Sequence, residues 1–416
     1  MNDAPRSFDR DTAAGGGGRC SERKLPLRDW IVLPILGMLT VCIMPVTSEL
    51  IARWMFSQSK TNEEQCWVLD DPSTGVRGIP NSVCQVKIPE SQPTEYRYNS
   101  CGHRAGMECG LKPPGAYRIV MTGSSSVMGL TVRREQTFAA LLPQELSRRT
   151  GREIEVYNVG MGYGFTHNVV LRFNEVLAAG PDMILWVAAP MDIEQASFVV
   201  PGSKASAGRD IRTRVHEALA RKSAWDKVRS LWEIASAGFL SHLAASRTEL
   251  MIQHFLYSSQ SLYVNSYLRG DDSHSGFLKA EPSAEWQSHL RQTDIDVANM
   301  EARASAAGIP FVTVLLPNRA QAAMISMGEW PKGFDPYKLD GELRSIVTSH
   351  GGIYLDILPA FRAIPNPEQY YFPVDGHPNA EGHRIVSGLL ASALTSGAVP
   401  ALSKAAQPQV ALDMGR

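Results

Sequence analysis

Three serines in a row, Ser124 to Ser126, stand between Gly123 and Gly129 in the stretch MTGSSSVMGL. A serine hydroxyl attacks an acyl carbon only when a base takes its proton. The chain supplies a candidate base far downstream, where FPVDGHPNAEGH places Asp375 two residues before His377. In an extended stretch, side chains at i and i+2 point to the same side. On that reading Asp375 holds one ring nitrogen of His377 and leaves the other for a serine, which is the logic of a Ser-His-Asp relay. Ser125 is the expected nucleophile, with Ser124 and Ser126 as loop hydrogen-bonders. His383, within the following helical stretch, reads as a packing or surface residue, and Asn379 as that helix's N-cap. Each residue also has a plain reading as a turn or surface side chain, so the chemistry depends on whether the fold brings them together.

The elements needed to do so are visible as a pattern. YRIVMTG (Tyr117 to Gly123), EIEVYNVG, DMILWVAA, IPFVTVLLP (Ile309 to Pro317) and GIYLDI (Gly352 to Ile357) are short, nearly continuous apolar runs. Helical periodicity separates them, near Gln136 to Arg149 and from about Thr166 to Ala179. That alternation predicts a three-layer α/β/α domain over 116–395, with a mainly parallel five-stranded sheet covered on both faces. Function in such sheets collects at the carboxyl ends of the strands, where both the serine run and the Asp375–His377 pair fall. Residues 193–282 read as a helical insertion, with Trp225, Trp232, Phe239, Phe255, Tyr257, Tyr263 and Tyr267. It is expected to be a cap with its own small core, the alternatives being a lid or a substrate-binding wall. Arg319, just past the fourth strand, reads as a surface arginine or as a contact for an anionic or sugar substrate.

The chain has 416 residues, 44% hydrophobic and 20% charged, with a formal net charge of −1. It can bury a sizeable core, and no global field favours nucleic acid. Trp30 to Ser48 carries no charge and is long enough to cross a bilayer core. Arg6, Arg10, Arg19, Arg23, Lys24 and Arg28 precede it, and Arg53 and Lys60 follow. This bias predicts a single-pass membrane helix over 29–56, with residues 1–28 a disordered cytoplasmic N-terminus and the rest outside, periplasmic or extracellular. A cleaved signal peptide is the alternative. Cys66, Cys84, Cys101 and Cys109 lie just beyond, while Cys20 falls on the inner side and Cys42 in the span. Four cysteines in an oxidising compartment predict two disulfides with three possible pairings; a zinc site is the competitor, without a C-x-x-C pair to support it. Residues 57–115, rich in Pro, Gly, Ser and Asn, read as an irregular, disulfide-linked segment. Residues 396–416 read as a flexible tail.

The chain resembles the SGNH/GDSL hydrolases. Their nucleophile lies in a Gly-Asp-Ser-x-x-x-Gly block after the first strand. GSSSVMG, Gly123 to Gly129, matches with Ser124 in the aspartate's place and Ser125 at the nucleophile. Their last block, Asp-x-x-His, is matched by DGHP with one residue fewer. NVGMGYGF is similar to the second block, which puts Gly162 in the role of oxyanion-binding amide, with Gly164 as the alternative. The third block, Gly-x-Asn-Asp, is matched at Asp192 and broken at Met191, which stands where an oxyanion-donating Asn is expected. Methionine has no hydrogen to donate, and loss of one such donor costs about 3 kcal/mol of transition-state stabilisation.

The resemblance implies an ester hydrolase or O-acyltransferase working through a serine acyl-enzyme: Ser125 the nucleophile, His377 the base, Asp375 its orienter. It implies no metal or organic cofactor. Its expected partner is an ester substrate, an acylated carbohydrate of the cell envelope or an exported polysaccharide. Two rivals are a non-catalytic binding or assembly factor on the same fold, suggested by Met191, and a lipid-active hydrolase with the aromatic insertion as its lid.

Overall fold

A computed structural model describes residues 27–57, 61–71, 74–195, 246–270 and 275–403. The expectations for residues 1–26, for Cys20, for residues 404–416 and for most of the insertion (196–245) lie outside these. Contacts divide the chain into two units, 1–51 and 52–416. Helix α1 (Leu27–Met55) contains Pro34 and Pro45 and exposes most of its large apolar side chains. It is long and apolar enough to cross a membrane.

In the second unit the segment expected to be irregular is not. It holds two antiparallel ladders, one of β1 (Trp67–Asp71) with β2 (Gly75–Gly78), the other of β3 (Val83–Val86) with β4 (Thr94–Arg97). Strands of four or five residues between Pro and Gly leave too short a pattern to read. Of the three possible pairings the disulfides are Cys66–Cys84 and Cys101–Cys109. Cys66, Trp67, Val76, Cys84, Val86, Tyr96 and Tyr98 form a small core with Met128 and Met161, so this module packs directly on the segments that follow β5 and β6 of the main sheet.

That sheet is five-stranded and parallel throughout, in the order β6 (Ile154–Asn158), β5 (Tyr117–Gly123), β7 (Met183–Ala188), β8 (Phe311–Leu315), β9 (Ile353–Leu355). Every residue of β5, β7 and β8 is buried. A strand with no solvent face has no polar phase to alternate with, which is why these segments read as continuous apolar runs. Covering helices pair off as α3 (Phe138–Thr150) with the last helix, Ala380–Leu394, and as Ala284–Ala306 with Lys338–Ser349. The architecture is the predicted three-layer α/β/α class. The helical stretch after β6 breaks into two short helices, Thr166–Leu171 and Phe173–Ala178.

Order reverses at β5: the chain steps to one side for β6 and returns across β5 for β7. Such a switch point opens a crevice beyond the strand ends, and Ser125 begins there. The described part of the insertion has no core of its own. Tyr263, Val264, Phe277 and Leu278 belong to the main core, and Tyr257, Tyr263 and Tyr267 are in ring contact there. Arg319 is neither a surface residue nor free to meet a substrate. It is 2% exposed, lies 3.8 Å over the Tyr263 ring and donates to the carbonyls of Glu368, Pro373 and Tyr257.

Cys66–Cys84 closes a loop of 18 residues, and loop-closure entropy of that size stabilises by roughly 3 kcal/mol. Replacing both cysteines by serine is expected to lower the urea midpoint of unfolding accordingly; an unchanged midpoint would contradict a stapling role.

Candidate active site

The stretch MTGSSSVMGL leaves the sheet at a point only glycine can occupy. Gly123 has φ +150°, and a Cβ there would meet the Val187 carbonyl oxygen and a Val127 methyl, each at 2.5 Å. Released by this turn, helix α2 starts at once (Ser125–Met128), with Ser124 at its N-cap position. The three hydroxyls part company. Ser124 is buried beside the Asp192 carboxyl. Ser126 is half-buried. Ser125 Oγ lies 2.7 Å from His377 Nε2.

On the other side of the ring, His377 Nδ1 lies 2.7 Å from Asp375 Oδ1. A carboxylate only accepts, so Nδ1 carries the proton and Nε2 of the neutral ring accepts from the serine. The link between Asp375 and His377 is not the extended stretch expected from their spacing. Gly376 has φ +84°, and the turn lets Asp375 Oδ1 accept the His377 backbone N–H as well, at 3.2 Å. A left-handed residue between the pair does in three positions what an extended stretch does not: it folds the carboxylate back under the ring. Phe372 N–H to His377 O and Gly376 N–H to Phe372 O, both 2.9 Å, close the loop. Asn379 then caps the last helix, accepting from Glu381 and Gly382 N–H.

The backbone N–H of Ser125 opens helix α2, and that of Gly162 lies in the loop after β6. The first is an N-terminal orphan of α2. In the loop after β6, Gly164 N–H is engaged with Met161 O at 2.9 Å, and Gly160 N–H with Asn158 Oδ1 at 2.8 Å. Gly162 stands between them, next to Tyr163, which holds a left-handed φ of +56°. Asn158 itself braces α2 by donating to Val127 O at 2.8 Å.

Met191 is 55% exposed and brings no donor to the site. Asp192 is 1% exposed and its Oδ2 accepts Ala189 N–H at 3.0 Å. Burial pushes its carboxyl from the usual 3.8 up to about 7, against the Ser124 hydroxyl, the Ala189 amide and His377, which pull it down. The Ser124 contact is a loose one, since Asp192 Oδ1 has no hydrogen bond of ordinary geometry. His383 is buried, accepts Phe138 N–H at Nδ1 (3.2 Å), and is pushed down to about 3 by burial, with Arg104 and His377 adding to it. It packs rather than titrates near neutrality.

Two residues of the disulfide module hold the far end of α2 and were not legible in the chain. Arg104, 1% exposed, donates to the carbonyls of Met128 (2.8 Å), Gly129 (3.0 Å) and Val132 (2.8 Å). A cation on the last carbonyls of a helix satisfies orphan acceptors. Its guanidinium lies 3.9 Å over the Tyr96 ring, and Tyr96 Oη accepts Thr131 N–H at 2.8 Å. No glycine or helix signal marks such a role; a lone arginine in a polar segment reads as solvated.

No family model matches the chain, and no curated protein matches it. It is similar to solved structures of an alpha/beta hydrolase enzyme from the metagenome of Lake Arreo, at 13% identity over 67% of this chain and 94% of that one, with a TM-score of 0.37. It is also similar to a lipase/acylhydrolase from Enterococcus faecalis, at 13% identity over 67% and 95%, with a TM-score of 0.34. A member of the lipolytic protein G-D-S-L family from Veillonella parvula matches at 10% identity over 67% and 98%, with a TM-score of 0.31.

Asp192 sets a pH dependence of folding. The unfolded chain releases this proton near the usual 3.8 while the folded chain keeps it to about 7. Stability contributed here is therefore present below about pH 4 and falls as pH rises to about 7, by a few kcal/mol at most. Asp192→Asn keeps an acceptor for Ala189 and cannot ionise. Urea unfolding between pH 4 and 8 is expected to show the variant gaining on the unmodified protein through that window; parallel curves would refute the assignment.

Proposed function

We propose that this protein is a membrane-anchored serine esterase or O-acyltransferase whose catalytic domain lies outside the cytoplasmic membrane. One observation carries the reading: a single imidazole, that of His377, accepts from Ser125 and donates to Asp375, each at 2.7 Å. Ser125 Oγ attacks the ester carbonyl as His377 Nε2 takes its proton. The oxyanion is held by the amides of Ser125 and Gly162. His377 then protonates the leaving alkoxide, and an acyl-serine remains. Water, or a sugar hydroxyl, gives its proton to His377 and releases the acyl group. Asp375 keeps the ring in the tautomer both steps need.

Two disulfides fit an oxidising compartment, and helix α1 behind a basic N-terminal segment fits an inward N-terminus. The proposed organisation keeps the expected boundaries: anchor, disulfide module, catalytic domain. The substrate class, an acylated carbohydrate of the cell envelope or an exported polysaccharide, rests on the family resemblance of the serine and histidine blocks.

The full-length chain in detergent micelles is expected to hydrolyse p-nitrophenyl acetate and to be labelled at Ser125 by a fluorophosphonate. Ser125→Ala should abolish labelling, and His377→Ala should lower kcat on the order of a thousandfold or more. If the unmodified chain neither labels nor outpaces Ser125→Ala, the fold serves binding and not catalysis. Acetyl appearing on an added sugar in place of free acetate would mark a transferase.

A further inference from the structure

Glu90 belongs to the disulfide module, in the tight turn Ile88 to Ser91, where Ser91 N–H donates to Ile88 O at 3.1 Å. Pro89 presets the bend. Glutamate in such a turn ordinarily faces water, yet this side chain is 2% exposed. Its carboxylate accepts from three groups of two other segments. Oε2 takes the backbone N–H of Val374 at 3.0 Å and of Asp375 at 2.9 Å. Oε1 takes His254 Nδ1 at 2.6 Å and lies 3.2 Å from Val374 N. Arg319 is a further charge within electrostatic reach, and the ring of Phe56 lies 5.1 Å from that of His254.

A buried carboxylate is tolerated only with such partners, and their placement is informative. The two amides it holds immediately precede Gly376, the turn that sets Asp375 under His377. The backbone–backbone bonds inside that loop join residues 372, 376 and 377; the peptide N–H groups of Val374 and Asp375 are tied from outside, by Glu90. Loops are the mobile parts of a fold, and a misplacement of about 1 Å at reacting groups costs on the order of a hundredfold in rate.

We propose that Glu90 is a positioning residue: it clamps the Val374–Asp375 backbone and thereby fixes the Asp375–His377 pair against Ser125. The inference rests on the reading of those three residues as the catalytic relay. Glutamine at 90 has one acceptor oxygen, and its NH₂ would confront N–H donors.

Glu90→Gln in the full-length chain is therefore expected to lower kcat for p-nitrophenyl acetate roughly tenfold or more, with KM within about twofold. Fluorophosphonate labelling of Ser125 should slow in parallel, and hydrogen exchange at the Val374 and Asp375 amides should accelerate. Unchanged kcat, or an equal loss carried by KM, overturns the proposal. Should Glu90→Gln fail to fold, exchange in the unmodified chain decides: protection of both amides supports the clamp, and exchange at free-peptide rates overturns it. An unmodified chain that neither labels nor turns over ester refutes the esterase reading instead, while amide exchange still reports on the clamp.

Discussion

One imidazole ring has to satisfy two oxygens at once, and the rest of the molecule is arranged around that demand. Ser125 approaches from the end of β5 and Asp375 from the loop before the last helix. Neither approach is set locally. The serine is aimed by the Gly123 turn and by α2, whose far end rests on Arg104 and Tyr96. The carboxylate is aimed by Gly376, with Glu90 behind it. The disulfide module thus touches both segments, the one that carries Ser125 and the one that carries Asp375.

The charge state of Asp192 follows from burial. Asp192 sits beneath the serine turn with its proton held to about pH 7, so around neutrality it balances between neutral and charged forms. The ring's carboxylate partner is Asp375, with 21% of its side chain exposed. Met191, by contrast, faces solvent.

How much of this could be read from the chain depended on the kind of signal. The sheet strands were legible because full burial on both faces leaves an unbroken apolar run. Ser125 and the Asp375–His377 pair were legible because their residue types carry chemistry. The geometry between the pair was not, since Asp-Gly-His suits an extended strand as well as a left-handed turn, and only the fold chooses. The short strands of the module were hidden by their Pro and Gly content. Arg104, Glu90 and Arg319 were illegible for a deeper reason. A charged residue is assumed to be solvated unless its partners are known, and theirs are backbone groups lying far away in sequence. Burial of that kind is a property of the tertiary structure, with no local trace.

Ser125 and His377 are 252 positions apart, and Glu90 and Asp375 are 285 apart. Contacts of that span form late, because a long loop must close before they stabilise anything. During synthesis the hydroxyl thus emerges well ahead of the ring that would activate it. On the half-made polypeptide Ser125 is a lone alcohol, and its contact with His377 can form only after the loop before the last helix has been made.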